Sequence, residues 1–207
     1  MHTNEMNCPL SILDSRRWDE WEERLVNELS DDPDEAREWI FENCDSYQKL
    51  PALLYLFEST GADTDWLPLL GEFWTSIDNF GPFRDDLLDV LTETVEDPHS
   101  VIPELMTSEE RMALDALPDQ IKIYRGCGRR NRSGFSWTLD RDTAIKFPFN
   151  TRYYVDEPIL LTTIINKTRV AALKLDRNEQ EVIAIDLPEQ YWTEEKLAEP
   201  DFAPEVG

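Results

Sequence analysis

Histidine is the scarcest chemistry-bearing residue in this 207-residue chain, with two copies, His2 and His99. His99 follows Asp97-Pro98 in a turn-like segment. With no Cys/His cluster, zinc centres and Ser-His-Asp or Cys-His catalysis find no support. Cysteine is nearly as sparse. Cys8, Cys44 and Cys127 are odd in number and widely spaced, which argues for reduced thiols in an intracellular chain. Glycine numbers 7, and neither a Walker loop nor a glycine-rich dinucleotide fingerprint occurs. There is no basic-then-apolar leader and no apolar run long enough to cross a bilayer. The expectation is a soluble, cytoplasmic protein, either of the producing cell or, for an exported effector, of a target cell. Arg, Ser, Thr and carboxylate remain for chemistry.

Positive charge is also in short supply. The chain has 20 Lys+Arg against 44 Asp+Glu, a formal charge of −24, unevenly spread. Residues 1–118 carry 7 basic against 29 acidic side chains; residues 119–207 carry 13 against 15. The break near Leu117-Pro118 predicts two domains, 1–118 and 119–207. Such acidity disfavours direct binding to nucleic acid or to an anionic membrane, and it favours a partner protein with a basic surface.

The first part reads as an all-helical, acidic array. Trp18, Trp21, Leu25 and Leu29 recur at helical spacing between Arg16 and Leu29. Asp31-Asp32-Pro33-Asp34 stops that helix and caps the next, where Ala36, Trp39 and Ile40 share a face. Gln48–Ser59, Trp66–Ile77, Arg84–Val95 and Ser108–Leu117 complete the array. No fixed period supports a solenoid. Nothing in this part looks catalytic.

After Pro118 the texture changes to strands. Ile121-Lys122-Ile123-Tyr124-Arg125 alternates, setting Ile121, Ile123 and Arg125 on one face. An arginine beside two isoleucines calls for an anionic partner or a cleft opening. A glycine-bounded basic loop with Arg129, Arg130 and Arg132 follows. Phe135-Ser136-Trp137-Thr138 then sends its aromatics one way and its hydroxyls the other. Asp140 caps a short helix, Arg141–Phe147, ended by Pro148. Ile159–Ile165 reads as a buried strand, and Val170–Leu175 leads into a polar turn. Glu181–Leu187 reads as the last strand. The acidic tail holds one candidate helix, Thr193–Ala198. The fold class expected is α+β, with the helical part followed by a mostly antiparallel, β-rich core.

In the turn Asp176-Arg177-Asn178-Glu179-Gln180-Glu181, side chains two apart point the same way in extended backbone, so Glu179 and Glu181 can face one site. A guanidinium recognises phosphate, strand hydroxyls hold a ribose, and a carboxylate stabilises an oxocarbenium-like transition state. Together these are the parts needed to bind a pyrophosphate-ribose ligand and break its glycosidic bond.

Taken in order, Tyr124-Arg125-Gly126, Phe135-Ser136-Trp137-Thr138 and Asn178-Glu179-Gln180-Glu181-Val182-Ile183 resemble the Arg–Ser–Glu class of mono-ADP-ribosyltransferases over residues 119–187. The resemblance implies an NAD+-splitting enzyme that passes ADP-ribose to an acceptor, with NAD+ as substrate and no metal. It implies that Arg125, with Gly126 beside it, holds the diphosphate or ribose side, and that Ser136, supported by Thr138, braces the catalytic glutamate. Glu181 would bind the ribose 2′-hydroxyl and stabilise the cationic transition state, and Glu179 would complete the Glu-x-Glu form associated with arginine acceptors. Phe147 and Phe149 are candidates to stack on nicotinamide. Family members serve bacteria, phages and secreted toxin systems. This chain departs from many relatives in having Ser-Trp-Thr where they have Ser-Thr-Ser. The alternatives are an NAD+ glycohydrolase and a non-enzymatic acidic decoy for a basic protein.

Overall fold

Asp32 shows how this sequence sets its helix boundaries. Its carboxylate accepts the amides of Asp34 and Glu35, and Pro33 fills the first helical position, where no amide is needed. In the computed structural model the described residues are 15–60, 66–78, 80–150, 155, 157–176 and 180–198. The chain divides into two units, Met1–Glu96 and Asp97–Gly207.

The first unit contains α1 (Ser15–Glu28), α2 (Pro33–Asn43), α3 (Lys49–Thr60), α4 (Trp66–Phe73) and α5 (Arg84–Thr94). Pro51 falls in the first turn of α3, as the sequence requires. Helix α4 tightens into a 3-10 turn over Trp74–Ser76, ahead of the expected end at Ile77. Trp21, Leu25, Ala36 and Ile40 are buried, so most of the predicted stripes face the core. Trp39 stays partly exposed and donates its indole N–H to Glu28. Burial pushes the Cys44 thiol up to about 12, although the Trp21 indole opposes the shift.

The second unit begins well before the compositional break. Ile102 N–H donates to the Ala171 carbonyl, and α6 (Ser108–Ala116) packs against β4 (Ala172–Lys174). The boundary therefore falls at Glu96/Asp97 rather than at 118. Charge density reports how much of a helix meets water, whereas membership follows the buried side, here Glu110 and Leu114. Thr107 and Glu110 form a reciprocal capping box that starts α6.

The sheet consists of β1 (Gln120–Cys127), β2 (Ser136–Thr138), β3 (Ile159–Asn166), β4, β5 (Glu181–Ile183) and β6 (Thr193–Lys196). Its order is β4-β5-β2-β1-β3-β6 and every neighbouring pair is antiparallel. The chain is thus α+β, with a helical first part and an antiparallel sheet in the second. Two expectations are corrected. The tail segment Thr193–Lys196 is a strand, not a helix, because it pairs with Ile159–Thr162 at the edge of the sheet. The Glu181–Leu187 strand stops at Ile183, after which Ala184 N–H turns to the Phe135 carbonyl.

Strand β6 is exposed throughout and its acids straddle the sheet. Glu194 pairs with Arg129 and Arg132, and Glu195 pairs with Arg141 of α7 (Arg141–Lys146). Glu189 adds a second contact to Arg132, and Glu157 one to Arg129. Arg129 and Arg132 of the glycine-bounded basic loop are therefore ion-paired.

Candidate active site

Directly opposed residues on antiparallel strands project to the same face, so the register locates each candidate. Lys174 is opposite Glu181, Glu181 opposite Thr138, Thr138 opposite Tyr124, Tyr124 opposite Thr162, and Thr162 opposite Thr193. One row of polar side chains thus crosses all six strands. On one side of it the face is covered, with Ala172, Ile183, Gly126 and Leu160 buried. On the other side it is open, with Lys122 and Ile164 exposed. Glu181 and Tyr124, both half-buried, lie along that boundary. Ser136, opposite Ile183, shares this face one position into the covered half.

Arg125 has the other parity. It alternates with Ile121, Ile123 and Cys127, as the sequence predicted, and stands opposite the buried Leu161. The expected anionic partner is replaced by main-chain oxygens. Its Nη1 donates to the Ser136 carbonyl at 2.6 Å and its Nη2 to the Asn131 carbonyl at 2.9 Å. A methyl group on Gly134 would collide with the guanidinium, so that glycine lets the 128–134 loop close over Arg125. Burial pulls the Arg125 pKa below its ordinary value, and the Cys127 thiol and the Glu181 carboxylate oppose the shift. The Glu181 charge is therefore felt at Arg125 although the register sets the two on opposite faces. Burial likewise pushes the Cys127 thiol up, against Arg125 and Arg132.

Thr138 is buried, and its Oγ1 accepts the Asp140 amide at 3.0 Å. Asp140 in turn accepts the amide of Asp142 and the hydroxyl of Thr143 to start α7. Thr138 therefore ties the strand carrying Ser136 to the helix above it. The 3-10 turn Phe147–Phe149 extends α7, with Phe147 exposed, Pro148 buried and Phe149 half-buried. Gly126 is the contact point. A Cβ there would collide with the Ala144 carbonyl and approach Pro148 Cδ to 2.8 Å. The backbone of α7 cannot give way as a flexible side chain can. Gly126→Ala is expected to destabilise this unit by about 3 kcal/mol, the upper end for overpacking, in a urea titration. Gly81→Ala, whose added methyl meets nothing within 4 Å, is the control.

Glu181 opens β5 between Thr138 and Lys174. The register there is fixed by Leu139 N–H donating to the Gln180 carbonyl at 3.1 Å. Glu179 lies outside the described residues. The structure therefore brings Ser136, Thr138 and Glu181 onto one face and anchors Arg125 to the backbone of Ser136. Two participants were not anticipated. Tyr124, not Arg125, is β1's contribution to the Glu181 face; the alternation already implied the parity, but only pairing reveals the neighbour. Glu110, from the helical part, bonds Lys174 at 2.9 Å and so holds the strand beside Glu181. Among the described residues no cluster of His, Cys, Asp and Glu could hold a metal ion, and no helix is long and apolar enough to cross a membrane. No family model, curated protein or solved structure matches this chain.

Proposed function

We propose that this protein is a mono-ADP-ribosyltransferase that cleaves NAD+ at the nicotinamide–ribose bond and transfers ADP-ribose to an arginine of a protein with a basic surface. The observation that supports it most is the pairing of Thr138 with Glu181. It puts the hydroxyl strand and the first residue of the glutamate strand side by side at the edge of an open face. In this reading nicotinamide leaves with the electron pair of its bond to C1′. The ribose carries the positive charge, and Glu181 accepts a hydrogen bond from the 2′-hydroxyl and offsets that charge. A guanidinium nitrogen of the acceptor then bonds to C1′ and sheds a proton. An arginine side chain is protonated at neutral pH, and Glu179 draws it in and takes that proton. Arg125 is a positioning residue, acting through the Ser136 carbonyl and the 128–134 loop.

The acidity of the first unit supports a basic target. Four of its basic side chains are already engaged: Arg24 with Glu28, Arg37 with Glu72, Arg84 with Asp85, and Lys49 with the Ser76 hydroxyl. The test is incubation of the full chain with labelled NAD+ and a cell lysate, followed by mass spectrometry of the labelled residue. Glu179→Ala is expected to lose protein labelling while nicotinamide release continues with water as acceptor. If labelling persists in that variant, Glu179 is not the acceptor-side group. Nicotinamide release without labelling in the unaltered protein would make it a glycohydrolase.

A further inference from the structure

We propose that the ring of Tyr124 is the seat of the acceptor's guanidinium, which stacks on it with Glu181 alongside. This rests on the transferase reading and adds to it the residue that selects a planar cation. Three features carry it. First, Tyr124 is the aromatic member of the polar row, with Thr138 and Thr162 directly opposite and Glu181 one strand beyond. Neighbouring strands are spaced about 4.8 Å apart, so the backbones of Tyr124 and Glu181 are roughly 10 Å apart with Thr138 between them, a span that a guanidinium stacked on the tyrosine ring reaches across. Second, the row borders the open half of the face. A side chain arriving over Lys122 and Ile164, the latter 61% exposed, meets Tyr124 first. Third, the ring already attracts a cation, since Lys122 Nζ lies 5.5 Å from its centroid.

That lysine is a weak occupant. An ammonium is a compact, strongly hydrated charge on a flexible stem, and an exposed cation–π contact of this kind contributes little. A guanidinium is planar and more weakly hydrated, stacks face to face, and can direct its N–H groups to a carboxylate at the same time. Lys122 therefore holds a place that an arginine takes. The pyridinium of NAD+ is also a planar cation, and the two sources separate by experiment.

The probe is agmatine, a small molecule bearing one guanidinium, used as acceptor with the full chain. Tyr124→Leu is expected to raise KM for agmatine about tenfold relative to KM for NAD+, within the range for a partly desolvated cation–π contact. Tyr124→Phe, which keeps the ring, stays within about twofold of the unaltered protein on that ratio. Lys122→Ser, at an exposed position, lowers KM for agmatine about two- to threefold by removing the competing ammonium. It answers the question even if Tyr124→Leu fails to fold. The proposal is overturned if the leucine variant moves KM for NAD+ instead, which would seat the pyridinium there. It is also overturned if Lys122→Ser, or a folded Tyr124→Leu, leaves the agmatine KM unchanged. Absence of any NAD+ turnover by the unaltered protein overturns the transferase reading and this inference together. Turnover with an unchanged agmatine KM overturns the inference alone.

Discussion

Glu181→Gln is expected to lower both nicotinamide release and protein labelling by about two to three orders of magnitude, the scale seen when one group aimed at developing charge is lost. Glutamine fills nearly the same volume and retains a carbonyl to accept the ribose hydroxyl. It has no negative charge to set against the cationic ribose, so the loss falls on the chemical step and appears in kcat. Because Glu181 is only half-buried at the start of β5, the substitution leaves the strand pairing with Thr138 and Lys174 in place. Cooperative thermal unfolding of the variant should show that the fold is retained. A variant that turns over NAD+ within tenfold of the original would remove Glu181 from the chemistry and leave the transferase reading without its central residue.

Lys174→Ala is expected to cost about 3–5 kcal/mol of unfolding free energy, because it leaves a buried carboxylate without its counter-charge. Lys174 is 3% exposed and Glu110 4%. Lys174 donates to Glu110 at 2.9 Å and to the Leu105 carbonyl at 3.1 Å. Burial alone would raise the Glu110 carboxyl. The Thr107 amide, the Lys174 ammonium and the Leu175 amide outweigh that effect and hold it below the ordinary carboxylate range. The sign of the pH dependence follows. A carboxyl depressed in the folded state contributes its full stability above the unfolded value of roughly 4.3 and loses it as pH falls below that toward the folded value. The difference in urea stability between the unaltered protein and Glu110→Gln should therefore narrow as pH drops below about 4. Replacing both partners, as Lys174→Met with Glu110→Leu, should recover most of the loss. A Lys174→Ala protein as stable as the original would show that the pair contributes nothing net.

Much of the fold was legible because alternation and capping are local. The parities of Ile121–Arg125 and Phe135–Thr138, the Asp140 cap and the helix starts at Pro33 and Ser108 all follow from residues within a few positions of each other. What could not be read was pairing. Parity says that Arg125 and Tyr124 face opposite ways, but not which of them meets Glu181; that is set by the Tyr124–Thr138 register. Arg125 posed the same problem, since it donates to two carbonyls, and main-chain acceptors leave no trace in residue identity. Thr193–Lys196 carries charges that suit a helix as well as an edge strand, and only the free side of β3 decides between them. The Glu110–Lys174 pair joins residues 64 apart in sequence. It was hidden behind an apparent domain break that tracked acidity rather than contact.

The two margins of the sheet are guarded against a further strand by different means. At one, β4 is three residues long, wholly buried, and has α6 packed against it. At the other, β6 presents Glu194, Glu195 and Lys196, none of them buried, and charged side chains of this kind discourage main-chain pairing with a neighbour. In the transferase reading, a target arginine would then be met by side chains rather than by strand addition at either margin. The guarded margins, together with a net charge of −24 that repels like molecules, oppose edge-to-edge stacking of one sheet on another.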